Sequence, residues 1–199
     1  MREYDEVGLA YLDCRSPDIG VPEILGFADA FRRPISVLDL GCGTGFPIAE
    51  ALWPRASHYV GVDSSSVLLA EFSRRLPGAE AILAGLEDVD LGGRTFDFVF
   101  AFGSLFHLRP GPQRAAFAEA CRSVAPGGLL AVTSGADAGA CTGTVAGVVV
   151  PHWSIGEVAY VEIAGASGLR YDGTQLGGGG HLFFRFRRPS ADAGASPGR

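Results

Sequence analysis

The stretch VLDLGCGTG at residues 37–45 decides the fold class of this chain. A short apolar run with β-branched residues at 35–40 predicts a buried strand, and Gly41, Gly43 and Gly45 follow it at every second position. Glycines there let the backbone turn sharply and approach a ligand closely. In an open α/β sheet, the carboxyl end of such a strand is where nucleotides bind. The stretch therefore predicts a strand, a ligand-binding loop and a following helix.

Strands and helices alternate on both sides of this stretch. Apolar runs predict strands, and apolar residues at helical spacing predict helices. The predicted strands are 35–40, 58–62, 79–83, 96–102 and 129–133, and the predicted helices are 21–33, 46–52, 66–75 and 113–124. Such regular alternation requires parallel strands joined by right-handed crossover helices. Two further strands, 169–176 and 181–187, are joined by a short glycine run and are expected to pair antiparallel.

The expected fold is therefore a doubly wound, Rossmann-like α/β fold. Its seven-stranded sheet is mostly parallel and carries an antiparallel strand pair at the C-terminal end. Residues 1–34 are expected to form an N-terminal cap or lid, residues 35–188 the ligand-binding domain, and residues 189–199 a disordered tail. Residues 135–152 lack helical periodicity and are expected to form an irregular insertion. A Ser-x-x-Glu capping box at 154–157 predicts the start of the next helix.

Composition excludes several classes of function. The chain has 199 residues, with 22 acidic residues against 16 basic ones, and its net charge of −6 argues against a binder of nucleic acid or anionic membranes. All 16 basic residues are arginine, so no lysine is available for a phosphate-binding loop or a Schiff base. The absence of a C-x-x-C pair predicts that no metal is bound. Charges near the N-terminus and the lack of an apolar run of about 20 residues predict a cytoplasmic protein, and we expect a monomer or homodimer.

The glycine loop differs from the loop of a dinucleotide-binding site. That loop reads G-x-G-x-x-G, whereas here Phe46 stands where the third glycine belongs, so an NAD site is disfavoured. Asp63 lies in GVDSS at 61–65, at the end of the next predicted strand. A carboxylate there can accept hydrogen bonds from both hydroxyls of a ribose. The glycine spacing thus disfavours a dinucleotide, whereas an acid at the position of Asp63 is common to both kinds of nucleotide site and supports the site more than the cofactor.

These motifs resemble those of the class I S-adenosylmethionine-dependent methyltransferases over roughly residues 35–187. The matching stretches, in order, are VLDLGCGTG at 37–45, GVDSS at 61–65, AGLEDVDL at 84–91, FDFVFAFGSLFHL at 96–108 and PGGLLAVTS at 126–134. The third stretch departs from the family pattern, because Gly85 occupies the usual aspartate position. The resemblance implies an enzyme of secondary metabolism that transfers a methyl group from S-adenosylmethionine to a small-molecule acceptor.

The resemblance also implies which residues hold the cofactor. In this family the glycine loop cradles the methionine end, which places Asp39 near its amino group. Asp63 would bind the ribose, while the backbone of Leu86 and the side chain of Glu87 would bind the adenine. The complete set of expected cofactor-binding residues is Asp39, Gly41, Cys42, Gly43, Gly45, Asp63, Ser64, Leu86, Glu87 and Phe102.

Two histidines are candidates for a general base. Methyl transfer from a sulfonium needs no acid, but a protonated acceptor atom benefits from a base such as histidine, whose ordinary pKa is about 6.5. His107 lies in the loop that faces the cofactor in this family, and His152, beside Trp153, is the alternative base. A packing role for His107 and a surface position for His152 are the simpler interpretations. Arg109 and Arg170 could each bind a substrate carboxylate, but an ordinary solvated arginine is the simpler interpretation of both.

Two other functions would use the same cofactor site. One is a binding or scaffold protein that holds S-adenosylmethionine without transferring its methyl group. The other is an enzyme that uses the fixed positive charge of the cofactor to favour a rearrangement or a cyclisation. Gly85, in place of an acid, and the insertion rich in Gly, Ala and Val give these alternatives their weight.

Overall fold

The computed structural model describes residues 16–145 and 147–191. Residues 1–15 of the predicted lid and residues 192–199 of the predicted tail lie outside the described residues. The strands are β1 (Ile35–Leu40), β2 (Ala56–Asp63), β3 (Glu80–Leu83), β4 (Phe96–Ala101), β5 (Val124–Thr133), β6 (Ala138–Val145), β7 (Val148–Ile155), β8 (Arg170–Leu176) and β9 (Leu182–Arg187). The α-helices are α1 (Val21–Ala28), α2 (Ile48–Leu52), α3 (Ser66–Arg75), α4 (Pro110–Arg122) and α5 (Gly156–Ala166).

Seven strands form one sheet in the order β3-β2-β1-β4-β5-β9-β8. Strands β1 to β5 pair parallel, and β9 runs antiparallel to both of its neighbours. The predicted fold class is therefore confirmed. The order reverses between β1 and β4, so neighbouring crossovers leave in opposite directions and open a crevice at the carboxyl ends of these strands.

Both faces of the sheet are covered, as a parallel sheet requires. Alternate residues of β4 point to opposite faces: Val99 and Ala101 belong to the apolar core beneath α4 and α5, while Phe98 and Phe100 belong to the core beneath α1, α2 and α3. This near-continuous apolar run makes β4 the buried centre of the sheet and holds the loop that follows it at a fixed position.

Residues 135–152 were expected to be irregular, and this expectation is wrong. Strands β6 and β7 form a separate antiparallel hairpin in which Val145 pairs with Val148. Glycine and alanine on β6 give no strand signal of their own, so pairing with β7 supplies the order. A Cβ on Gly143 would lie 2.4 Å from Cε1 of His152, and glycine therefore allows the His152 ring to lie over the neighbouring strand.

The predicted capping box at 154–157 is also wrong, because Ser154 belongs to β7 and α5 begins at Gly156. The Ser154 hydroxyl donates to the carbonyl of Gly135 at 2.7 Å and accepts from the Gly156 N–H at 3.0 Å. Glu157 instead accepts a hydrogen bond of 2.6 Å from the Tyr171 hydroxyl. Tertiary contacts thus outcompete the local cap. In the described part of the chain, no helix is long and apolar enough to span a membrane.

Candidate functional site

A cavity of about 390 Å³ lies at the carboxyl ends of β1, β2 and β4, in the crevice that the strand order opens. Its walls come from the glycine loop after β1, the loops after β2, β3 and β4, the start of α4, and β7. The volume falls within the range of about 300–1,000 Å³ that is usual for small-molecule sites. We call the wall formed by the loops after β1, β2 and β3 the cofactor half, and the wall formed by residues 103–112 and β7 the acceptor half.

Backbone hydrogen bonds join the start of the glycine loop to the end of β2. The N–H groups of Gly41 and Cys42 both donate to the carbonyl of Val62, at 2.8 and 3.0 Å. Gly41 has φ +85°, and a Cβ there would lie 2.3 Å from Cβ of Ser104. Only glycine therefore fits where the loop crosses the edge of the sheet, and its backbone faces the cavity.

Asp63 ends β2 and is fixed by two backbone hydrogen bonds. One carboxylate oxygen accepts from the Gly43 N–H and the other from the Ser65 N–H, both at 2.9 Å. Burial raises the pKa of Asp63, and these hydrogen bonds oppose that shift. Each oxygen has a second lone pair, so the carboxylate can also accept hydrogen bonds from a ligand in the cavity.

In the loop after β3, the side chain of Glu87 lies next to Gly85. A Cβ on Gly85 would lie 3.1 Å from Oε2 of Glu87, so the Glu87 carboxylate occupies the space beside the backbone of Gly85. The Asp88 N–H donates to the Gly85 carbonyl at 3.1 Å and closes this turn. Leu86 and Glu87 both line the cavity, as the sequence predicts for its nucleobase end.

The expected cofactor residues divide into two groups. Those that line the cavity are Gly41, Gly43, Asp63, Ser64, Leu86, Glu87 and Phe102. The remaining three, Asp39, Cys42 and Gly45, line a smaller pocket that shares Gly41 and Phe102 with the cavity. Asp39 is 4% exposed and accepts a hydrogen bond of 3.0 Å from the Tyr59 hydroxyl, and burial raises the pKa of the Cys42 thiol. Contact of these three residues with the cofactor stays a prediction.

The two candidate bases lie side by side. His107 lines the cavity, and burial, followed by the neighbouring His152, lowers its pKa to about 4. The ring of His152 lies behind it, with centroids 4.8 Å apart, and does not line the cavity. Burial also lowers the pKa of His152, and its Nε2 is buried with no hydrogen-bond partner among the described residues. His107 therefore lines the cavity in its neutral form, whereas half-buried His152 packs against it. A catalytic role for either histidine stays a prediction.

Gln113, which the sequence did not indicate, joins the loop before α4 to strand β7 in the acceptor half. Its side chain is fully buried, and its Nε2 donates to the carbonyls of Leu105 at 2.7 Å and Trp153 at 3.0 Å. Its Oε1 accepts from the Ile155 N–H at 2.9 Å. A polar residue on the apolar face of α4, in helical spacing with buried Phe117, is the signal that could have indicated this role.

Metal ligands do not cluster in the described residues: among them, no group of three or more His, Cys, Asp or Glu side chains could hold an ion.

Comparison with known proteins places these features in context. Residues 37–128 match the family model described as a methyltransferase domain. The tRNA U34 carboxymethyltransferase of Shewanella woodyi is 38% identical over 80 residues, which cover 37% of this chain and 24% of that protein. The trans-aconitate 2-methyltransferase of Acidovorax sp. (strain JS42) is 36% identical over 101 residues, covering 50% of this chain and 38% of that protein. The chain thus matches less than two-fifths of the length of these relatives.

A solved structure extends the likeness to nearly the whole fold. The amino pentose methyltransferase CalS10 of Micromonospora echinaspora, with S-adenosylmethionine bound, superposes with a TM-score of 0.71. The match covers 88% of this chain and 93% of that protein at 22% identity. The shared fold includes the crevice in which the cavity lies.

Proposed function

Because the chain carries the methyltransferase domain of the class I S-adenosylmethionine-dependent family, we propose that the protein transfers a methyl group from S-adenosylmethionine to a small-molecule acceptor and releases S-adenosylhomocysteine. The observation that carries this proposal is that two kinds of residue face one cavity. The glycine loop and Asp63 suit a nucleoside cofactor, and His107 and Trp153 face the same space from the acceptor half. The amino pentose specificity of the structural relative supports a place in secondary metabolism.

The residues of the cofactor half fit an adenosyl ligand. The glycine at position 41 leaves the loop backbone open to close approach, and the Asp63 carboxylate is held with free lone pairs. The Glu87 carboxylate folds back over Gly85, where the family usually places an acid. The cofactor half thus offers an open loop backbone, a carboxylate for the ribose and a carboxylate for the nucleobase.

The chain's own groups contribute mainly positioning. When bound, S-adenosylmethionine supplies a sulfonium-activated methyl group: the acceptor lone pair bonds to the methyl carbon while the carbon–sulfur bond breaks and its electrons stay on sulfur. Phe102 and Leu108, both buried, form apolar wall and exclude water from the site. Neutral His107 can accept the proton of a protonated acceptor atom, although a pKa of about 4 makes it a weak base. Holding donor and acceptor together is therefore the larger contribution.

A small molecule suits this site better than a nucleic acid. The net charge of −6 opposes a phosphate backbone, and the chain aligns with only 24% of the relative whose name specifies tRNA. The hairpin β6–β7 also lies over the acceptor half, since Val150, Pro151 and Trp153 of β7 line the cavity. These features support an acceptor of metabolite size.

Titration calorimetry followed by turnover separates this function from its alternatives. We expect S-adenosylmethionine and S-adenosylhomocysteine each to bind at one site. Acceptor-dependent release of S-adenosylhomocysteine, measured with a metabolite panel and with bulk tRNA as a separate arm, should occur with a metabolite only. Binding without any turnover would favour a scaffold or a charge-using enzyme, turnover with tRNA would replace the small acceptor, and no binding of either ligand would overturn the proposal.

A further inference from the structure

The acceptor half of the cavity carries an arginine at its rim. Arg109 directly precedes α4, is exposed, and lines the cavity together with Trp153 of β7. The guanidinium carbon of Arg109 lies 5.4 Å from the centroid of the Trp153 ring, a cation–π distance. Stacking uses the flat face of a guanidinium and leaves the N–H donors along its edge available to an anion.

Arg109 differs from most of the arginines in the described residues, because those arginines pair with acids. Eight arginines within residues 16–145 and 147–191 form ion pairs with Asp or Glu. Arg109 forms none with a described carboxylate, and among the described residues it is the one arginine that lines the cavity. An arginine held by an aromatic ring, beside a cavity and without an internal acid, is arranged to receive an external anion.

The surrounding wall defines what kind of anion fits. Leu108, Pro112, Val150 and Pro151 are apolar neighbours in this half of the cavity. His107 contributes no positive charge near neutral pH, because burial lowers its pKa to about 4. A single guanidinium among apolar groups balances one negative charge, which matches a planar carboxylate and leaves a phosphate dianion under-neutralised.

The acids that line the cavity lie on the opposite side. Asp63 ends β2 and Glu87 follows β3, whereas Arg109 follows β4, and the sheet order β3-β2-β1-β4 separates them. An anionic group beside Arg109 is therefore not placed against either carboxylate. The charge pattern of the cavity runs from acidic at the cofactor half to cationic at the acceptor half.

We propose that the acceptor is a small carboxylic acid whose carboxylate binds the guanidinium of Arg109, while Trp153, Val150 and Pro151 contact its apolar body. This inference rests on the proposed methyltransferase function and specifies the substrate class of the same site. The hairpin strand β7 supplies three of the contacts, so the hairpin and Arg109 together determine which acceptors are used.

The test compares acids with their neutral counterparts. Small carboxylic acids with a hydroxyl or amino group, such as 4-hydroxybenzoate, caffeate and tyrosine, are assayed beside their primary amides at saturating S-adenosylmethionine. We expect release of S-adenosylhomocysteine with one or more of the acids and at least about tenfold lower kcat/KM for the matching amide. In R109Q the KM for the acid should rise about tenfold or more with a much smaller change in kcat, and R109K should recover part of the loss.

Arg114→Gln is the matched control. It removes the same charge from an exposed position on α4, the helix that Arg109 directly precedes, and Arg114 does not line the cavity. Its kinetic constants should equal those of the wild type. Unchanged affinity for S-adenosylmethionine and an unchanged unfolding midpoint in R109Q show that the variant is folded. Equal use of acids and amides, equal KM in R109Q and R114Q, or no turnover of any acid while the cofactor binds would overturn the inference. Failure to bind the cofactor would instead overturn the proposed function.

Discussion

The two halves of the cavity are built in different ways. The cofactor half is held mainly by backbone groups at the ends of the adjacent strands β1 and β2: a positive φ at Gly41, backbone hydrogen bonds to Val62, and an Asp63 carboxylate fixed by the Gly43 and Ser65 N–H groups. The acceptor half is held by side chains from distant segments, with Gln113 of α4 bonded to residues of β7. The first arrangement keeps one ligand position constant, whereas the second allows acceptor specificity to change without disturbing the cofactor.

We expect the substitution Gly41→Ala to have the largest effect, and to act on the cofactor half. A Cβ at this position meets Ser104 at 2.3 Å on a backbone of φ +85°, so the loop must move. We expect a loss of about 2–4 kcal/mol in unfolding free energy and an affinity for S-adenosylmethionine reduced by about a hundredfold. Calorimetry and denaturant unfolding measure the two effects.

Gly26→Ala serves as the control for that variant, because Gly26 lies within α1 and a Cβ there meets nothing within 4 Å. It should leave cofactor binding unchanged and raise stability by up to about 1 kcal/mol, as alanine does in helices. Wild-type cofactor affinity in G41A would show that the loop backbone does not determine the cofactor half.

Substitution of Gln113 tests the acceptor half separately from the cofactor half. Gln113→Ala leaves the Leu105 carbonyl and the Ile155 N–H without the partner that the wild type provides. We expect a cost of about 2–4 kcal/mol in stability, a raised KM for the acceptor and an unchanged Kd for S-adenosylmethionine. Exposed Gln175→Ala on β8 is the control and should change none of these. Equal loss of cofactor and acceptor binding in Q113A would show that the halves are coupled.

The contribution of His107 to the pH dependence of stability reports on the acceptor half. The pKa of His107 is about 4 in the folded protein and about 6.5 in an unfolded chain, so below pH 6.5 the unfolded state binds more protons. The unfolding free energy should therefore fall by about 1–3 kcal/mol as the pH is lowered from 6.5 to 4. Denaturant titrations at several pH values should show a smaller slope for H107Q, whereas exposed His58→Gln should retain it. An equal slope in H107Q would place the titrating group elsewhere.

The smallest effect is expected within the hairpin. Gly143→Ala places a Cβ 2.4 Å from the His152 ring, whereas Gly139→Ala on the same strand meets nothing within 4 Å. G143A should shift the ring and β7, lower stability by about 1–2 kcal/mol and raise the KM for the acceptor several-fold, with G139A unchanged. Identical kinetics in both variants would remove the hairpin from acceptor binding.

The same contrast decides what could be predicted from sequence. The predicted parallel strands, the helix at 66–75 and the cavity-lining glycines follow from local apolar runs and turn chemistry, and the structure confirms the fold they imply. The hairpin was missed because glycine and alanine on β6 acquire order only through pairing with β7. Gln113 was missed because its partners on β7 lie about forty positions away in the chain. The burial of Asp39 and Cys42 likewise depends on packing that the strand pattern alone does not reveal.

Methyl transfer is tested most directly by following an isotope label. The purified protein is incubated with S-adenosylmethionine labelled at its methyl group, the panel of small carboxylic acids, and bulk tRNA in a separate reaction, and the products are analysed by mass spectrometry. We expect the label on a small carboxylic acid, with an equal amount of S-adenosylhomocysteine formed. Bound but unconsumed S-adenosylmethionine in every reaction, or label found on tRNA alone, would contradict a small-molecule methyltransferase.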